Sequence, residues 1–222
     1  MSRDLNFALG EFYHIYNRGT EKRVIFLDEY DYNRFMLLLY LCNSTDRVDL
    51  SDLLRQGLTL SEIFNEDRTE TLVNIGTWCL MPNHFHLLIK EQKENGIPIF
   101  MQKLLTSYSM YFNCKYHRRG SLFEGPFKAR HLDYDQYLKY QFTYIHLNPI
   151  SIIENGWKEK KIENKRKAKN FLKDYKYSSY FDYFGIKRPE GNIIVKEAFP
   201  DYFETAPDFE AMIDEWINFA EL

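Results

Sequence analysis

The stretch Met81-Pro82-Asn83-His84-Phe85-His86-Leu87-Leu88-Ile89 decides how this chain is read. It follows a run rich in β-formers at residues 72–80. Met81-Pro82-Asn83 supplies the turn between the two runs, which together form a hairpin. Successive side chains on a strand point to opposite faces, so His84 and His86 share one face and Phe85 takes the other. Two imidazoles held side by side on a strand make a chelating pair for a divalent metal. They can equally be two half-exposed histidines on an antiparallel strand. A second segment far downstream, Tyr144-Ile145-His146-Leu147-Asn148-Pro149, tips the reading towards the metal.

Working outward, Phe12-Tyr13-His14-Ile15-Tyr16-Asn17 reads as a first strand closed by Arg18-Gly19. Residues 28–41 read as a helix capped by Asp28, with Phe35, Leu38 and Leu39 as its apolar stripe. Residues 47–70 look inserted, with short helices on either side of Gly57 and an acidic Glu66-Asp67 tail. Gly96-Ile97-Pro98 opens a long helix over about 99–117, which Arg118-Arg119-Gly120 ends. Residues 121–131 read as an extended segment. A helix follows over 134–148, with Asp133 as its cap, Gln136 completing a capping box and Pro149 as its stop. A basic linker or helix lies beyond Trp157, and a terminal helix covers 208–219.

Strand, helix, hairpin, helix, extended segment and helix is the order of a ferredoxin-like, RRM-like α+β sandwich. Such a fold has an antiparallel sheet with helices on one face. The 134–148 helix is then an extra one, able to lie on the sheet's open face and meet the histidines.

At 222 residues the chain is one domain, or one domain with appendages, and long enough to bury a core. Its three cysteines, Cys42, Cys79 and Cys114, are widely spaced with no CxxC pair, which fits a reduced intracellular protein and argues against a thiolate zinc site. No apolar run approaches the ~20 residues that span a bilayer. The opening Met-Ser-Arg-Asp-Leu-Asn lacks the layout of a signal peptide, so the cytoplasm is the expected location.

The net charge of -3 is unevenly spread. Residues 1–100 hold 10 Lys and Arg against 15 Asp and Glu, and residues 171–222 hold 5 against 11. Residues 101–170 hold 14 against 6, a basic block inside an acidic envelope, as a phosphate-binding surface requires. Solvated basic helix faces would give the same count.

Tyr144 and Asn148 are four residues apart and share one helix face. Beside a metal, the Asn148 amide oxygen can be a third ligand with His84 and His86, and the Tyr144 oxygen can attack a phosphodiester. Tyr137, Tyr140 and Tyr144 also recur at helical spacing, as core aromatics do.

These segments resemble those of the REP-associated tyrosine transposases, a branch of the HUH single-strand DNA transposases within the IS200-like superfamily. The resemblance runs over most of residues 12–180. It is carried by Tyr13-His14-Ile15-Tyr16-Asn17-Arg18-Gly19, Cys79-Leu80-Met81-Pro82-Asn83-His84-Phe85-His86-Leu87-Leu88 and Ser121-Leu122-Phe123-Glu124-Gly125-Pro126-Phe127-Lys128-Ala129-Arg130. Tyr144-Ile145-His146-Leu147-Asn148-Pro149 and Tyr177-Ser178-Ser179-Tyr180 complete it.

The resemblance implies Mg²⁺ or Mn²⁺ on His84 and His86, and Tyr144 as nucleophile forming a 5'-phosphotyrosine. Asn148 stands where other single-strand transposases place a glutamine ligand. The implied substrate is a single-stranded DNA hairpin of the REP-like imperfect palindrome type, gripped by Arg18, Lys103, Lys115, Arg118, Arg119, Lys128 and Arg130. Residues 1–150 are expected to form the catalytic domain with its insertion at about 47–70. Residues 151–222 are expected as an extension packed on that domain, in a monomer. Gly125-Pro126-Phe127 replaces the family's more usual Gly-Arg-Tyr, and the acidic insertion is longer than usual.

Two other readings stay open. One is a non-catalytic RNA or single-stranded DNA module using an RRM-like sheet. The other is a zinc hydrolase, for which no HExxH spacing exists in the chain.

Overall fold

The computed structural model describes residues 6–46, 49–157 and 162–219. The opening residues read for a leader, the first residues of the insertion and residues 158–161 of the basic linker lie outside the described residues. The chain begins with β1 (Phe12–Arg18), α1 (Glu29–Leu41), α2 (Leu50–Arg55) and α3 (Leu60–Ile63). Next come β2 (Val73–Met81), β3 (His84–Glu91), α4 (Gly96–Lys115), β4 (Lys128–His131) and α5 (Asp135–Leu147). It continues with α6 (Ile150–Ile153), α7 (Lys165–Asp174), α8 (Tyr180–Tyr183) and α9 (Ala206–Phe219).

The four strands form one antiparallel sheet in the order β2-β3-β1-β4. With α1 and α4 as the two crossovers, this is the ferredoxin-like α+β arrangement expected from the sequence.

Alternation along the strands divides the molecule into layers. Phe85, Leu87 and Ile89 of β3, with Tyr13 and Ile15 of β1, join the main core under α1 and α4. His84, His86, His14 and Tyr16 occupy intervening positions and therefore face the other side. There Leu88, Cys79 and Met81 pack against Leu138, Phe142 and Ile145 of α5. Helix α5 thus lies across the β2–β3 half of the second face.

The β2 strand keeps both faces apolar by changing parity. A register shift between Ile75 and Thr77 lets Ile75, Trp78 and Leu80 all enter the main core. Thr77, Cys79 and Met81 are left facing α5, as one extra residue in a ladder dictates. Gly76 sits at the shift, where the Phe199 ring would lie 2.7 Å from any added Cβ.

Residues after α7 close the outer edge of β2. The Leu80 amide donates to the Tyr177 carbonyl and the Ser179 amide to the Trp78 carbonyl, each at 2.9 Å. A second small core then joins Leu147 and Ile150 to Trp157, Leu172, Tyr180 and Phe209.

Three local expectations change. Tyr134, not Asp133, precedes the first turn of α5; its backbone is extended and no side chain caps the helix. That later start puts Gln136 at the second helical position, out of capping-box register. Pro149 ends α5 but then stands at the N-cap of α6. Within 121–131 only Lys128–His131 is a strand, with a single bridge from Phe123 to Gly19 before it.

Candidate active site

Strand β3 brings His84 and His86 together, with ring centroids 5.0 Å apart and planes nearly perpendicular. His86 is 6% exposed and His84 half-buried. His84 Nδ1 lies 2.6 Å from Asn83 Oδ1, an atom that can only accept, so Nδ1 carries a proton, and in the neutral form of the ring the lone pair is on Nε2. Strand β1 adds His14, 7% exposed, whose Nε2 lies 2.8 Å from His86 Nδ1. Tyr16 stacks on His14 at 5.0 Å between centroids.

Helix α5 presents Tyr144 to this group. Its ring meets His86 edge-on at 5.7 Å and His14 at 6.1 Å between centroids. One turn back, Tyr140 stacks on Tyr144 at 5.9 Å, with 20° between planes. Burial pushes the Tyr140 phenol up, and the neighbouring Tyr144 adds to this.

Asn148 is 1% exposed, and its Nδ2 donates to the Tyr144 carbonyl at 3.0 Å. The side chain is therefore anchored to the residue it is expected to assist. Among the described residues no group of three or more His, Cys, Asp or Glu is placed to hold a metal ion. A metal here would need His84, His86 and a donor outside those types.

What fixes α5 is His146. It is fully buried, and its Nε2 lies 2.9 Å from both Thr77 Oγ1 and Ser179 Oγ. Thr77 Oγ1 and Ser179 Oγ are 2.8 Å apart, and the Trp78 amide donates to Ser179 Oγ. Burial drives the His146 pKa down to about 3, which makes this imidazole a neutral structural group. One network thus ties the tyrosine helix, strand β2 and the C-terminal segment together.

The basic residues divide between the layers. Lys128 pairs with Tyr16 and Arg130 with His14 across β1 and β4, which places both on the imidazole face. Lys128 Nζ lies 6.0 Å from the Tyr16 ring and Arg130 5.0 Å from the Tyr137 ring. Arg18 pairs with His84 in register and forms an ion pair with Glu124.

Lys103 and Lys115 sit on α4, in the opposite layer. Lys103 donates to the carbonyls of Ser44 and Asp46, and Lys115 bridges Asp28 and Asp31. Arg118 donates to Asn113 Oδ1 just after α4, and Arg119 is exposed beside it.

Residues 47–148 match the family model described as "Transposase IS200 like". This segment is similar to IS200-like transposases over those residues. The matched segment contains β2, β3, α4, β4 and α5, and so carries His84, His86, Tyr144 and Asn148. Strand β1, with His14 and Tyr16, precedes it, and the Ser179 anchor follows it. None of the curated proteins matches this chain. A solved "Structure of the REP associates tyrosine transposase bound to a REP hairpin" aligns with a TM-score of 0.49 at 10% identity. The alignment covers 86% of this chain and 90% of that one.

Sequence reasoning missed His14 and the His146–Thr77–Ser179 network. His14 had a visible signal, since alternation along Tyr13-His14-Ile15-Tyr16 puts His14 and Tyr16 on one strand face. The β1–β3 register that brings them to His86 had none.

Proposed function

We propose that this protein is a metal-dependent, single-stranded DNA endonuclease and strand transferase, a transposase of the REP-associated tyrosine branch. The observation that carries the reading is the seating of Tyr144 over His86, from a helix laid across the sheet's second face. A packing tyrosine needs no such partner. The IS200-like match over the same residues gives independent support.

His84 and His86, through Nε2, and Asn148, through Oδ1, would hold Mg²⁺ or Mn²⁺. Bound there, the ion would supply Lewis-acid polarisation of a scissile phosphate. The Tyr144 oxygen attacks phosphorus, a tyrosine–phosphate bond forms and the bond to the 3'-oxygen breaks. The phenolic proton is released as the departing strand gains its 3'-hydroxyl. One phosphodiester has been exchanged for another, so a 3'-hydroxyl attacking the 5'-phosphotyrosine reverses the step and joins strands.

The substrate is a DNA hairpin of the imperfect-palindrome type. Arg18, Lys128 and Arg130 grip phosphates on the site face, and Arg118 and Arg119 extend that grip beyond α4. Residues 1–150, with the insertion at 47–70, form the catalytic domain, and 151–222 form an extension packed on it. The His146–Ser179 contact within one chain supports a monomer, because α5 is held by its own C-terminal segment. No helix among the described residues is long and apolar enough to cross a membrane. The proposed site of action is the cytoplasm.

A non-catalytic module using the sheet as a base-stacking platform is disfavoured, because α5 covers the β2–β3 half of that face. Incubation with end-labelled hairpin DNA and Mn²⁺ tests the proposal. An SDS-stable protein–DNA adduct is expected from the wild type and none from Tyr144→Phe, with hairpin binding retained. An adduct that survives Tyr144→Phe would remove Tyr144 as the nucleophile.

A further inference from the structure

We infer that His14 is a positioning residue for the metal centre: its Nε2 accepts the Nδ1 proton of His86 and thereby commits the His86 lone pair to Nε2. This inference rests on the metal site proposed above. The observation behind it is the 2.8 Å separation of His14 Nε2 and His86 Nδ1, between two side chains that are 7% and 6% exposed.

A neutral imidazole has one N–H and one lone pair, and only the lone pair can bind a metal. If His14 were the donor, His86 would carry its proton on Nε2 and could not ligate through that atom. If His14 is the acceptor, both site histidines reach the same state by different means. His84 donates its Nδ1–H to Asn83 Oδ1 at 2.6 Å, and His86 donates its own to His14. Both lone pairs then lie on Nε2. Partners of this kind typically change metal affinity by about 10- to 100-fold when removed.

His14 is also held in place itself. Its ring lies between Tyr16, stacked at 5.0 Å, and the edge-on ring of Tyr144 at 6.1 Å. Strand pairing provides the rest: Tyr16 is directly opposite His86, and His14 is its diagonal neighbour on the same face. Sequence separation is 72 residues, so only the folded sheet creates the contact.

The test uses the intact protein and two substitutions. His14→Gln keeps an oxygen that can accept the Nδ1 proton, whereas His14→Phe keeps a flat ring and no acceptor. Mn²⁺ affinity by calorimetry should fall about 10-fold or more in His14→Phe and much less in His14→Gln. ¹⁵N NMR of the metal-free wild type should show His86 protonated on Nδ1, and His14→Phe should shift that population towards Nε2–H.

Equal Mn²⁺ affinity in the wild type and His14→Phe would overturn the inference while leaving the metal site standing. So would equal losses in Phe and Gln, which would mark His14 as a packing residue. A wild type that binds no Mn²⁺ would overturn the metal reading and this role together. An Nε2–H tautomer of His86 in the metal-free wild type would also overturn the role of His14.

Discussion

The carbonyl of Tyr144 accepts a hydrogen bond from Asn148 Nδ2 at 3.0 Å, at a side chain only 1% exposed. The proposed nucleophile and the proposed third ligand are thus one mechanical unit at the end of α5. From ligand chemistry alone, Asn148→Gln should keep more function than Asn148→Ala, because it retains an amide oxygen on the same helix face. Burial changes that expectation. Glutamine adds a methylene at a buried position, and overpacking typically costs about 1–3 kcal/mol. Both variants should therefore melt lower than the wild type. Mn²⁺ titration separates the roles: Ala should lose affinity, and an Ala variant with wild-type affinity would remove Asn148 from the ligand set.

His84 and His86 should differ in what their loss does to folding. His86 is buried, and removing it deletes a buried ring and one hydrogen bond of His14, a loss of about 1–3 kcal/mol. For a chain of this size that corresponds to a fall in Tm of several degrees, at roughly 2–4 °C per kcal/mol. His84 is half-exposed and bonds its sequence neighbour Asn83, so His84→Ala should melt close to wild type. Both variants should lose Mn²⁺ binding. Thermal melts without metal, beside calorimetry with it, check both statements. Equal melting losses would contradict the burial difference.

Much of this architecture was legible in the sequence, and the reason is local. The Pro82-Asn83 turn after Met81, the alternation through His84-Phe85-His86 and the Asp28 cap, which accepts from the Asp31 amide, all act within a few residues. What escaped depends on register and on long-range contacts. Nothing within β1 specifies that Tyr16 pairs with His86, and nothing near Ser179 announces that it will meet Thr77 and His146. The charge count marks residues 101–170 as basic but could not assign those charges to a face. Lys103 and Lys115 contribute to that block from the far layer, where they hold carbonyls and carboxylates of the protein itself.

That division of faces predicts which basic residues govern DNA affinity. Lys128→Glu with Arg130→Glu should weaken hairpin binding and flatten its salt dependence. If each residue meets one phosphate, the log–log slope should change by about 1.4, at roughly 0.7 per phosphate on single strands. Lys115→Gln should act on stability instead, because it removes the ion-pair partner of Asp31, whose side chain is fully buried and otherwise holds the Leu27 amide and the Tyr111 and Tyr116 hydroxyls. A reversal of Lys187 and Arg188 together makes a poor control. Arg188 is nearly buried against Asp182 and also donates to the carbonyls of Lys176 and Ser178. Lys187→Glu alone is the appropriate comparison. Fluorescence anisotropy across a salt series decides it, and equal effects from Lys128/Arg130 and Lys187 would move the DNA path elsewhere.

The buried His146 predicts how stability responds to acid. Its pKa falls from the ordinary histidine value of 6.5 to about 3 in the folded protein, because burial disfavours the charged ring. Between those values the unfolded chain binds a proton that the folded chain does not. Stability therefore falls as pH drops below about 6.5, by up to about 1.4 kcal/mol per pH unit from this group. Above that range the contribution is constant, since neither state is protonated. His146→Gln should remove this slope, and it should also lower stability at pH 7 by disturbing the bonds to Thr77 and Ser179. Urea midpoints of the metal-free wild type and variant from pH 7 to pH 5 measure the difference. Parallel curves would mean that His146 takes up its proton in the folded state, and that the clamp holding Tyr144's helix tolerates a charge.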